Sequence, residues 1–246
     1  MEKRVAVVTG GVGGLGRAIC QALHKQERTV VAVDLPQSDQ ALDDFRQSLG
    51  QAKAEFRSLD VSDLDDCKRV FADIEASFGP VEILVNAAGI TRDASLRKMR
   101  PEDWRAVMAV DLDALFHTCQ QVIDGMMSRG FGRIINISSV NGQTGQFGQT
   151  NYAAAKAGVH GFTMALAREG AAKGVTVNSI SPGYIDTAMT RAIRPDIREQ
   201  IIAGIPVGRI GRPEDIARTV AFLSADDADF ITGSNIPVNG GHFISF

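Results

Sequence analysis

Short apolar runs alternate with longer amphipathic stretches along the 246 residues of the chain. The runs are rich in β-branched side chains, which predicts buried strands, and the stretches between them have helical spacing. Strands are predicted near 4–9, 29–33, 54–59, 82–86, 132–138, 174–180 and 235–238, and the longest helices near 101–128 and 150–172. This alternation predicts an α/β fold: a doubly wound parallel sheet with helices on both faces.

Several predicted strands are followed at once by glycine or polar residues. Because parallel strands end at one edge of a sheet, and ligands bind at that edge, we expect these positions to share one site. They are Gly10–Gly16, Asp34, Asp60, Asn86–Gly89, Ser139 and Pro182–Gly183.

The first strand runs directly into a glycine-rich turn that opens a helix. Gly10, Gly14 and Gly16 are spaced Gly-x-x-x-Gly-x-Gly, and Gly13 and Leu15 complete the turn. Strand, glycine turn and helix together offer free backbone N–H groups and a positive helix end to a pyrophosphate. The turn predicts dinucleotide binding, although many turns that bind nothing are also glycine-rich.

The second strand ends in Asp34, about twenty residues after the glycine turn. A carboxylate there can accept hydrogen bonds from an adenosine ribose 2′-hydroxyl and would repel a 2′-phosphate. Positions 35–38 hold no Arg or Lys, and a glycine, Gly13, stands before Gly14. The sequence therefore favours NAD(H), with NADP(H) possible, against the alternative of an ordinary solvated aspartate.

Tyr152 and Lys156 are four residues apart in a predicted helix, and Ser139 precedes them in the chain. This spacing places the phenol and the ammonium on one helix face. A cation beside the phenol favours the phenolate, which suits the tyrosine to acid or base catalysis near neutral pH. An isolated Tyr-x-x-x-Lys would be an ordinary surface pair, but here it follows a predicted dinucleotide site.

The composition is that of a protein with one large core. We see no linker or repeat, so we expect a single domain over 1–246, with a dinucleotide-binding half of roughly 1–130 and a catalytic and substrate half of roughly 131–246. The net charge of −3 gives no support for nucleic-acid or membrane binding. Three scattered cysteines, four dispersed histidines and a polar start predict no disulfide, no metal, no signal peptide and a cytoplasmic location.

Taken in order, these motifs resemble the short-chain dehydrogenase/reductase family over the whole chain. The matching pieces are Thr9-Gly10-x-x-x-Gly14-x-Gly16, Asp60-Val61, Asn86-Ala87-Ala88-Gly89, Ser139, Tyr152-x-x-x-Lys156, and Pro182-Gly183 with Thr187. The resemblance implies a Rossmann fold of about seven strands and a homotetramer.

The resemblance also implies roles for individual residues. Asp60 and Val61 would flank the adenine. The strip that would pack under the cofactor is Asn86, Ala87, Ala88 and Gly89. The residues that would hold the nicotinamide end are Pro182, Gly183, Ile185 and Thr187.

Within the family, the stretches 89–93, 97–99, 138–152, 181–184 and 192–194 resemble acetoacetyl-CoA reductases of polyhydroxyalkanoate synthesis. By that similarity, the residues around the acyl-CoA substrate would be Asp93, Ser139, Gln146, Phe147, Gln149, Tyr184 and Arg194. Three other functions stay open: reduction of β-ketoacyl groups on acyl-carrier protein, oxidation of a sugar or polyol, and a dinucleotide-binding redox sensor without turnover.

Two positions depart from the family pattern. Asp111 stands where the family usually has an asparagine that is often counted as a fourth catalytic residue, and Ala87 replaces another asparagine. The change at Asp111 would be neutral if the backbone carbonyl carries the role, and it would lower activity if the side-chain amide does. The polar stretch 187–205 is expected to form either a mobile lid over the substrate or an exposed amphipathic helix.

Overall fold

The computed structural model describes residues 3–191 and 193–244. Within these ranges one parallel sheet of seven strands has the order β3-β2-β1-β4-β5-β6-β7. The strands are β1 (Val5–Thr9), β2 (Thr29–Asp34), β3 (Glu55–Ser58), β4 (Val81–Asn86), β5 (Gly132–Ile137), β6 (Val175–Pro182) and β7 (Asn235–Val238). The predicted doubly wound sheet is confirmed.

Ten α-helices within the described ranges connect or flank the strands. They are α1 (Gly14–Lys25), α2 (Asp39–Leu49), α3 (Leu64–Phe78), α4 (Pro101–Met108), α5 (Ala114–Arg129), α6 (Asn141–Thr144), α7 (Thr150–Gly170), α8 (Ala188–Arg191), α9 (Pro195–Ala203) and α10 (Pro213–Leu223). None of the helices in these residues is both long enough and apolar enough to cross a bilayer.

The sheet separates two hydrophobic clusters, one on each face. In β1, Ala6 and Val8 belong to the cluster that includes α1 and α10, whereas Val5 and Val7 belong to the cluster that includes α3, α5 and α7. Successive side chains of a strand point to opposite faces, so a strand buried on both sides must be apolar throughout. This explains why the strands appear in the sequence as continuous apolar runs.

The long helix predicted near 101–128 is interrupted by a π-helical turn. Helix α4 ends at Met108, residues Ala109–Asp113 form the wider turn, and α5 follows. Turns of this kind are uncommon and often occur at functional sites. Here the turn carries Asp111, which is completely buried.

Buried polar side chains connect the central strands to the helices below them. Asn86 donates to Asn136 on the neighbouring strand at 2.9 Å and accepts from the Thr118 hydroxyl of α5 at 2.8 Å. Asn136 in turn donates to Thr163 of α7 at 3.0 Å. The network ties α5 and α7 to the carboxyl half of the sheet, because a buried polar group left without its partner is costly.

We predict that Thr118→Val lowers the free energy of unfolding by about 1–3 kcal/mol, because it leaves the Asn86 side-chain oxygen buried without its donor. Urea unfolding would measure the change. The control is Thr219→Val on α10, where the half-buried hydroxyl bonds only a carbonyl of its own helix, at 3.4 Å. The control should stay within about 0.5 kcal/mol, and equal losses in the two variants would contradict the account.

Candidate active site

A cavity of about 470 Å³ lies along the carboxyl edge of the sheet. It collects nearly all the residues that the sequence places just beyond strand ends. The predicted residues that line it are Gly10, Gly13, Gly14, Leu15, Gly16, Asp34, Asp60, Val61, Ala87, Ala88, Gly89, Ser139, Tyr152, Lys156, Pro182, Gly183, Ile185 and Thr187. The topology therefore brings together residues that are far apart in the chain.

The glycine turn between β1 and α1 is tightly wound. Gly10 has a φ of +63°, and the Gly13 N–H donates to the Gly10 carbonyl at 3.1 Å. A Cβ on Gly16 would lie 2.2 Å from the Gly10 oxygen, so a larger residue there cannot fit without moving the turn. By contrast, a Cβ on Gly14 would meet only the Thr187 methyl group, 4.0 Å away. The turn is closely packed at Gly16 and open towards the cavity at Gly14. Phosphate binding at a helix N-terminus requires such an open side.

Asp34 is fixed at the end of β2 by two backbone donors. Its carboxylate accepts from the Val12 N–H at 3.2 Å and from the Leu35 N–H at 3.0 Å. Burial raises the pKa of the Asp34 carboxyl, and the two N–H donors offset part of that effect. The side chain therefore has a defined position on the cavity wall, next to the glycine turn.

Ser139, Tyr152 and Lys156 meet where the end of β5 packs against α7. The Ser138 hydroxyl donates to the Lys156 carbonyl at 2.8 Å, which joins strand end and helix. Ser139 is held by the Asn141 N–H, which donates to its hydroxyl at 3.1 Å. The Lys156 ammonium lies 5.6 Å from the centroid of the Tyr152 ring. The arrangement places a hydroxyl, a phenol and a cation at one end of the cavity.

The Lys156 ammonium is buried and is held by two oxygen atoms. It donates to the Ile137 carbonyl at 3.1 Å and lies 3.2 Å from the Asp111 carboxylate. Burial by itself lowers the pKa of Lys156, but the charge of Asp111 and the neighbouring Tyr152 outweigh it and raise the pKa. Lys156 is therefore a protonated cation beneath the phenol.

A second pocket of about 210 Å³ adjoins the cavity and shares Ser139, Tyr152 and Gly183 with it. Predicted substrate residues that line this pocket are Asp93, Gln149 and Tyr184. The Asn141 amide donates to the Gln149 side-chain oxygen at 2.8 Å, and the Gln149 amide donates to Asp93 at 2.9 Å. We refer to Asn141, Gln149 and Asp93 as the amide row.

Five predicted site residues line neither pocket, and one of them is Asp111, which is buried in the π-helical turn. Phe147 is 90% exposed, and Gln146 beside it is also exposed. The Arg194 guanidinium is on the surface and pairs with Asp196 at 3.2 Å. Asn86 is buried within the polar network beneath the sheet edge and does not reach the cavity.

Several residues that line the two pockets were not predicted from the sequence. In the larger cavity they are Leu35, Leu59, Ile90, Val110, Ile137, Ser138, Ala188 and Thr190, and in the smaller pocket Thr91, Val140, Asn141, Thr190 and Ile193. Most of them are immediate neighbours of predicted residues, so position next to a strand end is the signal that could have found them.

Within 3–191 and 193–244, no three His, Cys, Asp or Glu side chains are grouped so that they could hold a metal ion.

Comparison with known proteins agrees with this geometry. A family model described as enoyl-(acyl carrier protein) reductase matches residues 11–242. The acetoacetyl-CoA reductase of Allochromatium vinosum is 54% identical over 98% of this chain and 99% of its own. That of Cupriavidus necator is 52% identical over 98% of each chain. The Escherichia coli 3-oxoacyl-[acyl-carrier-protein] reductase FabG is 43% identical over 99% of this chain and 98% of its own.

The chain belongs to the short-chain dehydrogenase/reductase family. Membership makes it an oxidoreductase with a nicotinamide cofactor, and the residues present fit such a group. The open glycine turn suits the pyrophosphate, and Asp34 lies where an adenosine ribose would be bound. Tyr152 and Lys156 line the same cavity beyond β5, where they would face the nicotinamide ring of a bound cofactor.

We predict that Gly16→Ala weakens NADH binding at least about tenfold, equivalent to about 1.4 kcal/mol. The added methyl group must displace the Gly10 carbonyl and so distort the phosphate-binding turn. Titration of NADH fluorescence would measure this. The matched control is Gly161→Ala on the exposed side of α7, where a Cβ has no neighbour within 4 Å. NADH binding should be unchanged in the control, and a similar loss in both variants would contradict the proposed role of the turn.

Proposed function

We propose that this enzyme reduces the 3-keto group of acetoacetyl-CoA to give 3-hydroxybutyryl-CoA. The observation that carries the proposal is the position of Ser139 and Tyr152 at the junction of the larger cavity and the smaller pocket, with Lys156 beside them in the larger cavity. A ketone in that pocket would lie between a hydroxyl donor and the cofactor site. The proposal is supported by relatives named acetoacetyl-CoA reductase that are 52–54% identical over almost the whole chain.

The mechanism assigns each side chain a separate task. When bound, the nicotinamide cofactor supplies the hydride that reduces C3 of the substrate. The Tyr152 hydroxyl gives its proton to the C3 oxygen as general acid, so the ketone becomes an alcohol. Ser139 donates a hydrogen bond to the same oxygen and fixes its position. The Lys156 cation stabilises the phenolate that remains, until a proton returns to it.

The amide row and Tyr184 provide polar contacts for a 3-oxo thioester. The row fixes Gln149 and Asp93 in the pocket wall, and the Tyr184 ring is stacked on His242 with centroids 5.5 Å apart. Outside the pocket, Arg194 and Phe147 are exposed and could meet the CoA moiety, the first by pairing with a phosphate. We assign these two residues to the carrier and the amide row with Tyr184 to the acyl group.

The second candidate substrate is a β-ketoacyl group on acyl-carrier protein. It is favoured by relatives named 3-oxoacyl-[acyl-carrier-protein] reductase that are 42–43% identical over nearly the full chain. The chemistry at Ser139, Tyr152 and Lys156 would be the same, since both substrates are 3-oxo thioesters. Only the carrier differs, so discrimination depends on contacts outside the acyl pocket.

We also propose a homotetramer. Large apolar side chains remain exposed on the outer helices, including Phe116 of α5, Met164 of α7 and Phe222 of α10. Exposed apolar side chains on several helices suit contacts with further copies of the chain. Sedimentation equilibrium that gives the mass of a monomer would contradict this assembly.

We predict that acetoacetyl-CoA with NADH gives a higher kcat/KM than the acyl-carrier-protein thioester with either cofactor. The decay of NADH absorbance measures the rates. Tyr152→Phe is the control: it should retain NADH binding and lower kcat to below about 1% of wild type, since a general acid contributes at least about a hundredfold. A preference for the carrier-protein thioester would favour the second candidate, and no NADH oxidation with either would favour a redox sensor.

We further propose that NADH is preferred to NADPH, because the Asp34 carboxylate would repel a 2′-phosphate. Asp34→Asn should lower the ratio of kcat/KM with NADH to kcat/KM with NADPH at least about tenfold, about 1.4 kcal/mol. The control is Asp39→Asn, which removes the same charge from an exposed position at the start of α2. If the wild type prefers NADPH, or if both variants change the ratio equally, this role of Asp34 is wrong.

A further inference from the structure

An ion pair lies buried behind the phenol of Tyr152. The Asp111 carboxylate is 3.2 Å from the Lys156 ammonium, and the two side chains are 0% and 5% exposed. The carboxylate brings a negative charge that a neutral side chain of the same shape, such as that of asparagine, would not carry. The added charge is directly next to the cation on which the proposed proton transfer depends.

The local structure holds Asp111 firmly in this position. One carboxylate oxygen accepts from the Ile90 N–H at 2.9 Å, in the loop that follows β4. The other oxygen faces Lys156 and has no hydrogen-bond partner elsewhere in the described residues. A Cβ on Gly89 would lie 3.1 Å from that oxygen and 3.4 Å from the ammonium nitrogen, so the loop packs closely against both members of the pair. The π-helical turn provides the third wall by carrying Asp111 inward.

We propose that Asp111 is a positioning residue that neutralises Lys156, and that it thereby moves the pH range of proton transfer by Tyr152 upward. The proposal rests on the function proposed above. A lone buried ammonium would strongly favour loss of the phenolic proton, because charges interact strongly where water is excluded. A carboxylate on the far side of the ammonium opposes that effect. Tyr152 therefore keeps its proton to higher pH than it would beside an unpaired lysine.

Other titratable side chains near the pair are engaged with different partners. On the elements that pack around it, they include Arg92, Asp93, Asp103, His117, Cys119 and His160. Arg92 bonds the Thr91 carbonyl, Asp93 bonds Gln149, and Asp103 bonds Arg100. His117 bonds the Val61 carbonyl and Cys119 bonds Asn86. His160 bonds the hydroxyls of Ser138 and Ser181. Asp111 is therefore the carboxylate that faces Lys156, and we refer to Tyr152, Lys156 and Asp111 as the proton-transfer group.

The two reaction directions should depend on this group in opposite ways. Reduction of a ketone needs the protonated phenol, so its rate falls at high pH when the group loses a proton. Oxidation of the alcohol needs the phenolate, so its rate rises over the same range. Removal of the Asp111 charge should move the fall of the reduction rate and the rise of the oxidation rate to lower pH by the same amount. We call these two parts of the pH profiles the alkaline limb for reduction and the acid limb for oxidation.

The test compares Asp111→Asn with Asp113→Asn. The first exchange keeps the shape of a buried side chain, and the second removes the same charge from an exposed position on the same π-helical turn. In Asp111→Asn the alkaline limb of kcat for reduction should move to lower pH by about one unit or more. The acid limb for oxidation of 3-hydroxybutyryl-CoA should move with it, and Asp113→Asn should keep the wild-type profile. A loss of kcat with unchanged limbs would overturn the proposal.

A measurement without substrate keeps this test separate from the proposed function. In the wild type the pair raises the pKa of Lys156, so its stabilisation is present below the pKa of an unfolded lysine and is lost only as pH rises through the raised value. In Asp111→Asn, burial acts on Lys156 without that partner and lowers its pKa. The variant should then gain stability as pH rises through the lowered value, where the Tyr152–Lys156 pair loses a proton.

The Tm deficit of Asp111→Asn relative to wild type should therefore shrink between about pH 7 and about pH 10. Asp113→Asn should show no such trend. A deficit that does not change with pH would overturn the ion-pair role, whether or not acetoacetyl-CoA is the substrate. If the Tm deficit shrinks with pH as expected but the wild type does not turn over acetoacetyl-CoA, the proposed function alone is contradicted. If Asp111→Asn does not fold, Asp111→Ser removes the same charge and is measured in its place.

Discussion

The charge of Lys156 is the interaction on which the site depends. A buried ammonium is stable only when oxygen atoms replace its lost water. The oxygens here come from the end of β5 and from the π-helical turn before α5, while the lysine itself belongs to α7. Three separate elements must therefore be correctly positioned before the buried cation is stable. The same positions place Tyr152 and Ser139 at the cavity. Folding and the proposed chemistry depend on the same contacts.

The parallel sheet imposes the second constraint. All seven strands point the same way, so their carboxyl ends form one edge, and the loops beyond them are the parts of the chain that can meet there. The glycine turn and Asp34 follow β1 and β2, whereas Ser139 and Gly183 follow β5 and β6. A dinucleotide and a second ligand can thus be held side by side along this edge, and both halves of the chain contribute residues to the larger cavity.

The sequence was sufficient for the fold, because strands buried on both faces must be continuous apolar runs. Every predicted strand appears with its ends within two residues of the prediction. Most of the cavity was also predictable, since its residues follow strand ends directly. The amide row was not, because Asn141, Gln149 and Asp93 meet through tertiary packing. Nor was the π-helical turn, which looks like regular helix in the sequence. Asp111 departs from the family pattern in the sequence itself, but its contact with Lys156 depends on that turn.

A structure of the enzyme with NAD⁺ and 3-hydroxybutyryl-CoA is the most direct test of the account. We predict that the oxygen on C3 lies within hydrogen-bond distance, about 3 Å, of both the Tyr152 and the Ser139 hydroxyls, with C3 facing the nicotinamide ring. A thioester seated elsewhere, or a Tyr152 hydroxyl turned away from the nicotinamide ring, would contradict the central claim.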